Sequence, residues 1–418
     1  MSRAQTPLQK YLAQYAEAES SELNELPDLA WQRVVVIPAF RESDQFLRRF
    51  KHSFGTLAAP NTILILVVNR PDTSSHCPEN HQLIEACFQH FGPPLWQKNN
   101  LSMMSEGPLT LLLVDRETLP IPMKQGVGLA RKIGCDLAAA LFEKRRLTTP
   151  WIHSTDADTH LPENYFAPPE SSINFGAQVF NFRHLGNHAD PDCAEATRIY
   201  EQHLNYYRDG LSWAGSPYSF YTLGSSLAIH AQTYARVRGF PRKAGGEDFY
   251  LLNKAAKLQP IAQRHEITLQ ISARHSDRVP FGTGPAVAKI LDQQAKGRAF
   301  VTYDPRVFIY LKNWLAYAPS IWTILQGFPK SPLDAANLNA CRAAIPDALY
   351  PAVSTLNVDA FLQHAAKQCH TDNSFRQHFH SWFDAFATLK FIHTLQSSDF
   401  PPIPLDQALR DFAEVTRA

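Results

Sequence analysis

Apolar positions follow two regimes along this chain. Up to about residue 285 they come as short continuous runs separated by segments of helical spacing; beyond it, helical stripes dominate. The first 28 residues place Leu8, Leu12, Tyr15 and Ala16 at helical intervals and read as one or two polar amphipathic helices. RVVVIP at 33–38 is then a β-branched run closed by Pro38, the pattern of a strand buried on both faces. TILILVV at 62–68, LTLLLV at 109–114 and the shorter WIHST at 151–155 repeat it, with a helix expected at 44–54. In 125–146, Val127, Ala130, Gly134, Leu137 and Leu141 recur at helical intervals and predict the best helix of the chain. Strands alternating with helices predict βα units and a mostly parallel sheet. In such sheets ligands bind beyond the carboxyl ends of the strands.

After residue 160 the pattern predicts strands at 175–182, near 225–230 and near 267–272, with helices at 192–208 and 247–258. An aromatic loop, SWAGSPYSFYTLGSS, lies between them. From about 287 onward the chain reads as helical. Phe375, Phe379, Trp382, Phe383, Phe386 and Leu389 form a single apolar stripe there, read as core. The expected organisation is an α/β protein: a helical segment at 1–28, a mostly parallel sheet flanked by helices over 29–285, and a helical C-terminal extension over 286–418.

Composition narrows the function. Apolar residues make up 44% and charged residues 19% of 418, enough for a sizeable core. Lys+Arg 40 against Asp+Glu 39 leaves a net charge of +1, so no global basic field draws nucleic acid or anionic lipid. The six cysteines, Cys77, Cys87, Cys135, Cys193, Cys341 and Cys369, form no C-x-x-C pair, which argues against a disulfide scaffold and fits a reducing compartment. MSRAQTPLQK is polar and lacks a signal-peptide pattern, and no apolar run approaches a membrane span, so a cytoplasmic location is expected. In 306–325, Val307, Phe308, Tyr310, Leu311, Trp314 and Leu315 mix with Lys312; peripheral membrane contact is open there, with core packing the simpler use.

Charged groups gather at four successive strand ends: Pro38-Ala39-Phe40-Arg41-Glu42, Asn69-Arg70-Pro71-Asp72, Asp115-Arg116-Glu117 and Asp156-Ala157-Asp158. With 22 Asp in 418 residues, chance alone supplies roughly one D-x-D, and a second does occur at Asp190-Pro191-Asp192. That one lies in a His-, Asn- and Pro-rich loop, with Asp192 placed to cap the following helix. Asp156 and Asp158 instead follow a strand directly, where two carboxylates can address one hard divalent cation. In GFPRKAGGEDF, Gly245 and Gly246 precede Glu247 and Asp248, which open a helix; acidic residues in a first turn also simply favour the helix dipole. A third cluster joins Arg274, His275, Ser276, Asp277 and Arg278 to Phe281-Gly282-Thr283-Gly284. His275 stands out by following a strand in the company of two arginines, whereas His364, His370, His378 and His380 lack metal-site spacing.

The order VVVIPAFRE, LILVVN, GVGLARKIGCDLAA, WIHSTDADTHLPENYF, GSSLAIHAQTYARVRGFPRKAGGEDFYL resembles the GT-A-fold glycosyltransferases, family 2 in particular, over residues 33–285. The resemblance implies a Rossmann-like GT-A sheet and transfer of a sugar from a nucleotide-diphosphate donor to an acceptor hydroxyl. It implies that Pro38, Ala39 and Glu42 line the nucleotide pocket, that Asn69 meets the nucleoside and that Arg131 lies near the nucleotide. Asp156 and Asp158 would hold the sugar nucleotide through Mn²⁺ or Mg²⁺. In the ED pair of Glu247 and Asp248, Asp248 would be the general base. RHSDR is similar to a segment whose histidine supplies a further metal ligand in some relatives, a role that falls to His275.

Two departures matter. Relatives often place acidic residues after the second strand, where this chain has Asn69-Arg70-Pro71, and the Q-x-x-R-W helix of processive synthases is not found. A non-processive transferase is the resulting expectation; it is read as inverting, with a retaining transferase of the glycosylglycerate-synthase type as the alternative, and the sequence leaves the choice between inversion and retention open because one fold supports both. A sugar-phosphate nucleotidyltransferase should carry a glycine-rich basic loop after strand one, where PAFRES stands. An inactive sugar-nucleotide-binding protein should show a broken D-x-D or a lost base, whereas here the D-x-D of Asp156 and Asp158 and the base Asp248 are both intact. Donor sugar, nucleobase, acceptor and oligomeric state stay open at this point.

Overall fold

The computed structural model describes residues 5–56, 61–169, 174–186, 190–276, 278, 282–328 and 333–417; Asp277 and Phe281 of the third cluster lie outside them. The chain divides into two units, Met1–Arg198 with Tyr221–Leu291, and Ile199–Phe220 with Asp292–Ala418.

The first unit is built on one sheet. Its strands are β1 (Arg33–Ala39), β2 (Thr62–Pro71), β3 (Trp96–Lys98), β4 (Leu101–Glu106), β5 (Leu109–Ile121), β6 (Trp151–Ser154), β7 (Thr159–His160), β8 (Ala177–Leu185), β9 (Leu227–His230) and β10 (Ile261–Ser272). Among the described residues they lie in the order β3-β4-β5-β2-β1-β6-β9-β8-β10-β7. Pairing is parallel from β5 through β2 and β1 to β6, and again between β8 and β10, while β9 runs antiparallel between the two blocks. The mostly parallel α/β class expected from the apolar runs is the class observed. Val34–Ile37 and Ile63–Val68 are sealed from solvent, as strands covered on both faces must be.

The helices up to residue 295 are α1 (Pro7–Gln14), α2 (Gln45–Thr56), α3 (Pro78–Phe91), α4 (Gly126–Glu143), α5 (Pro191–Trp213), α6 (Ala231–Arg236), α7 (Glu247–Ala256) and α8 (Thr283–Ala295), of which α5 from Ile199 and α8 from Asp292 belong to the second unit. α1 starts at a full capping box, Thr6 receiving the Gln9 N–H and Gln9 returning the bond, and ends before Tyr15, so Tyr15 and Ala16 fall outside it. α4 packs on β1 and β2 and is buried from Gly128 through Leu141, which accounts for its apolar spacing. Five elements carry no such apolar pattern, among them the two-residue β7. α3 is polar in composition and hides only Asn80, Leu83, Ala86, Cys87 and Phe91; β3 and β4 form a hairpin turned at Asn99, whose φ is 53°; and α6 is short. β5 also runs on through Asp115-Arg116-Glu117, so those residues end no strand.

The second unit is helical, with α9 (Arg306–Gln326), α10 (Ala335–Ala343), α11 (Tyr350–Ser354), α12 (Val358–Gln368), α13 (Asp372–Trp382), α14 (Ala385–Ser398), α15 (Leu405–Arg417) and a ribbon of β11 (Val301–Thr302) and β12 (Ile403–Pro404). Val307, Phe308, Leu311 and Trp314 of α9 lie in its core with Phe361, Phe375, Phe379, Phe383 and Phe391. No helix among the described residues is long and apolar enough to cross a membrane.

The expected stripe from Phe375 to Leu389 is broken. α13 stops at Trp382, and Asp384 caps α14 by accepting the N–H groups of Phe386 and Ala387 at 3.0 and 2.9 Å, which turns Phe386 outward to 41% exposure. Denaturant melts should therefore separate these positions. Phe379→Ala is expected to cost about 3–5 kcal/mol, Asp384→Ala about 1 kcal/mol, and Phe386→Ala no more than about 0.5 kcal/mol. A large loss for Phe386→Ala would restore the continuous stripe.

Candidate active site

Thr155 N–H donates to the Val36 carbonyl at 3.1 Å, so the turn after β6 lies beside the end of β1. Ser272 N–H donates to the Asp158 carbonyl at 3.0 Å, which brings the end of β10 to the same place. Three carboxyl strand ends thus surround Asp156-Ala157-Asp158, and the start of α7 faces them.

Arg131 joins the motifs. It projects from the second turn of α4 and is 4% exposed. Its Nη2 donates to Asp156 Oδ1 at 2.6 Å and its Nε to Glu247 Oε1 at 2.9 Å. Nη1 donates to Ser154 Oγ at 2.9 Å. Burial alone would lower the arginine pKa, but the carboxylates of Asp156, Glu247 and Asp248 outweigh it and hold the guanidinium protonated. Room for the group exists because residue 224 is glycine: a Cβ there would lie 2.5 Å from Arg131 Nη2. Gly246, at φ 70°, supplies the left-handed turn that starts α7 and delivers Glu247 and Asp248. Glu247 is buried against Arg131, so its acidic character does more than favour the helix dipole.

A second charged cluster flanks the first. Arg274 donates to both oxygens of Glu42 at 2.8 and 2.7 Å, and its Nη2 lies 2.8 Å from Asp158 Oδ2. Arg278 contacts the same Glu42 and donates to the Arg41 carbonyl at 3.1 Å. Arg49 donates to the Ala157 carbonyl. Glu42 is buried under the two arginines at the sheet end. Pro38 and Ala39 are buried too, in register with Val67 and Val68 of β2. Asn69 is buried and its carbonyl accepts from Asn80 Nδ2 at 3.0 Å; Asn80 also donates to Glu117 and accepts the Arg41 N–H.

Two carboxyls have unusual proton affinity. Burial, with Asp156 and Glu42 nearby, pushes Asp158 up to about 6 against the pull of Arg274. Burial and the Glu247 charge push Asp248 to about 7, although the Phe249 N–H donates to Asp248 Oδ1 at 2.7 Å and Arg131 is near. A carboxyl that burial and like charge hold back from ionising is a fit place for a divalent cation, which takes oxygen ligands and supplies the missing positive charge. The buried hydroxyls of Thr155 and Thr159, on either side of the motif, have no partner among the described residues.

His275 faces a different carboxylate from those of Asp156 and Asp158. Its Nε2 lies 2.9 Å from Asp190 Oδ2, and the ligand atoms of Asp190, Cys193 and His275 all fall within 4.8 Å of one another. The adjacent Arg274, not His275, contacts Asp158. Asp190 also replaces Asp192 as the cap of α5, accepting the Cys193 N–H at 3.0 Å, because the helix already begins at Pro191. The motifs alone give Arg274, Arg278, Arg49 and Ser154 no role of their own, yet all four contact the D-x-D, Glu42 or Arg131. Two of them sat in the RHSDR cluster, but only the sheet order shows which carboxylates they meet.

No protein-family model and no curated protein matches this chain. Among solved structures it is similar to that of GalNAc-T7 with UDP, GalNAc and Mn²⁺, at TM-score 0.34 and 16% identity over 76% of this chain and 55% of that one. The chain therefore spans about half of that structure. It is similar to glucosyl-3-phosphoglycerate synthase from Mycobacterium tuberculosis with Mn²⁺, UDP and glucosyl-3-phosphoglycerate, at TM-score 0.33 and 12% identity over 72% and 90% of the two chains. With Mg²⁺ and UDP the same synthase gives TM-score 0.34 and 13% identity over 72% and 89%.

Proposed function

We propose that this protein is a divalent-metal-dependent glycosyltransferase that moves a sugar from a nucleotide-diphosphate donor to an acceptor hydroxyl, non-processively and with inversion. The observation that carries the reading is the single guanidinium of Arg131 holding Asp156 of the D-x-D and Glu247 of the GGED. Two motifs nearly ninety residues apart meet at the carboxyl ends of parallel strands, where such sheets bind ligands.

In this reading Asp156 and Asp158 hold Mn²⁺ or Mg²⁺. The ion, when bound, offsets the charge that develops on the leaving diphosphate. Pro38, Ala39 and Asn69 bound the nucleotide side through the ends of β1 and β2. Glu42 lines the same pocket and fixes Arg274 and Arg278 there. Asp248 takes the proton of the acceptor hydroxyl as it attacks, and an affinity near 7 suits a base that must be ionised yet still proton-seeking at neutral pH. Glu247 orients Arg131. His275 serves either the same ion or Asp190 alone, and a variant separates the two.

The primary test is a screen of sugar nucleotides with Mn²⁺, read by release of nucleotide diphosphate. Asp158→Ala should abolish Mn²⁺-dependent binding of the nucleotide diphosphate while the fold persists; retained affinity would sink the metal assignment. For His275→Ala, a weaker Mn²⁺ titration places the imidazole on the ion. An unchanged titration with a lowered Tm makes it a partner of Asp190.

Asp248→Asn should lower turnover by roughly 10²–10⁴-fold with little change in donor affinity. Near-normal turnover in that variant, with a working acceptor, would move the retaining alternative ahead. The same substitution has a signature in stability. The folded Asp248 pKa of about 7 lies above the unfolded value. Its contribution is therefore complete below about pH 4 and is lost as pH rises through 7. Tm measured from pH 4 to 7.5 should fall less steeply in Asp248→Asn than in the wild type, and parallel slopes would remove the raised affinity.

A further inference from the structure

Helix α4 carries two cationic side chains in succession, and they serve different partners. Arg131 reaches Asp156 and Glu247. Lys132, the next residue, turns to Asp136 one helical turn on, at 2.7 Å. Asp136 is wholly buried, and its two oxygens receive four donors. Tyr11 Oη at 2.5 Å and Tyr234 Oη at 2.7 Å donate to Oδ1. Lys132 Nζ and the Glu17 N–H, both at 2.7 Å, donate to Oδ2. Lys132 Nζ also donates to Tyr11 Oη at 2.7 Å.

The donors come from three parts of the chain. Tyr11 and Glu17 belong to the N-terminal segment, Lys132 to α4 and Tyr234 to α6. The segment that follows α6, residues 237–246, leads directly to Glu247 and Asp248, and it is gripped by the same groups. Gly239 lies so close that a Cβ on it would fall 2.3 Å from Tyr11 Oη. Arg242 Nε pairs with Glu17 Oε1 at 2.7 Å, and the Gly128 N–H of α4 donates to the Lys243 carbonyl at 2.9 Å. A buried ion pair adds little net stability, because desolvation offsets the attraction, but a fully partnered one fixes orientation.

We propose that Tyr11 and Asp136 are positioning residues: through them the N-terminal segment clamps α4 against residues 237–246 and so holds Arg131 in register with Glu247 and Asp156. The assignment rests on the reading that these last residues form the active site, but it makes a mechanical claim that can be tested without substrate.

Amide hydrogen exchange on the full chain compares wild type, Tyr11→Phe and Trp31→Phe. The last is a control, since it removes another buried side-chain hydrogen bond, Trp31 Nε1 to Thr110 Oγ1 at 2.9 Å, between residues that take no part in the clamp. Tyr11→Phe should speed exchange at the Gly128 and Phe249 amides about tenfold, the equivalent of one buried hydrogen bond, while Trp31→Phe leaves both unchanged. Tyr234→Phe removes the other hydroxyl on the same oxygen and should repeat the effect if Tyr11→Phe folds poorly.

Isothermal titration with UDP or GDP and Mn²⁺ supplies the second arm. Tyr11→Phe should weaken binding in the wild-type background and add nothing in Arg131→Lys, since residues acting through one another are not additive. Faster exchange confined to residues 5–22, equal acceleration in the Trp31 control, or additive losses would each overturn the clamp. If wild type binds no nucleotide diphosphate, the functional reading fails, and the exchange arm alone still decides the positioning claim.

Discussion

A guanidinium taken out of water must be paired on every side, and the architecture around Arg131 is arranged to meet that demand. Ser154 and Asp156, from the end of β6 and the turn after it, and Glu247, from the start of α7, are its partners. Remove the cation and two carboxylates would face each other with their common counter-charge gone. The distance between the D-x-D and the acidic pair of α7 is thus set by the reach of one side chain. The tight approach at residue 224 shows how little slack the arrangement leaves.

The neighbouring cluster solves a different problem. Glu42 takes two arginines, and one of these also reaches Asp158. Cations outnumber anions locally when Arg49 is counted, so the face can accept further negative charge, while Asp158 itself remains reluctant to ionise. A doubly negative ligand and a divalent ion would complement these two properties together. That is the chemistry expected where a diphosphate leaves.

The central strands and α4 were legible because periodicity reports burial, and these elements are buried on all sides. The D-x-D at 156–158 could be told from its copy at 190–192 by the apolar run before it. α3 was not legible, since a polar helix that hides few side chains has almost no period to detect. The break at Asp384 escaped because apolar spacing continues across it, although an Asp three residues before Ala387 is a capping signal in its own right. The roles of Arg274 and of Asp190 as partner to His275 were beyond sequence reading. They depend on β10 lying between β7, which follows Asp158, and β8, which precedes Asp190, pairings that bring together segments with no local relation.

The buried carboxylate of Asp136 has a consequence for how the protein is made. Its donors Tyr11 and Tyr234 are separated by more than half of the chain. During synthesis the first helix leaves the ribosome early, yet the surface that receives it is complete only once α6 has emerged. Leu8 and Tyr11, buried in the finished protein, lack the α6 part of their cover through that interval. Helix α1 thus reaches its final packing only when a little over half of this sequence has been made, and until then its apolar face is one that a holding chaperone can occupy.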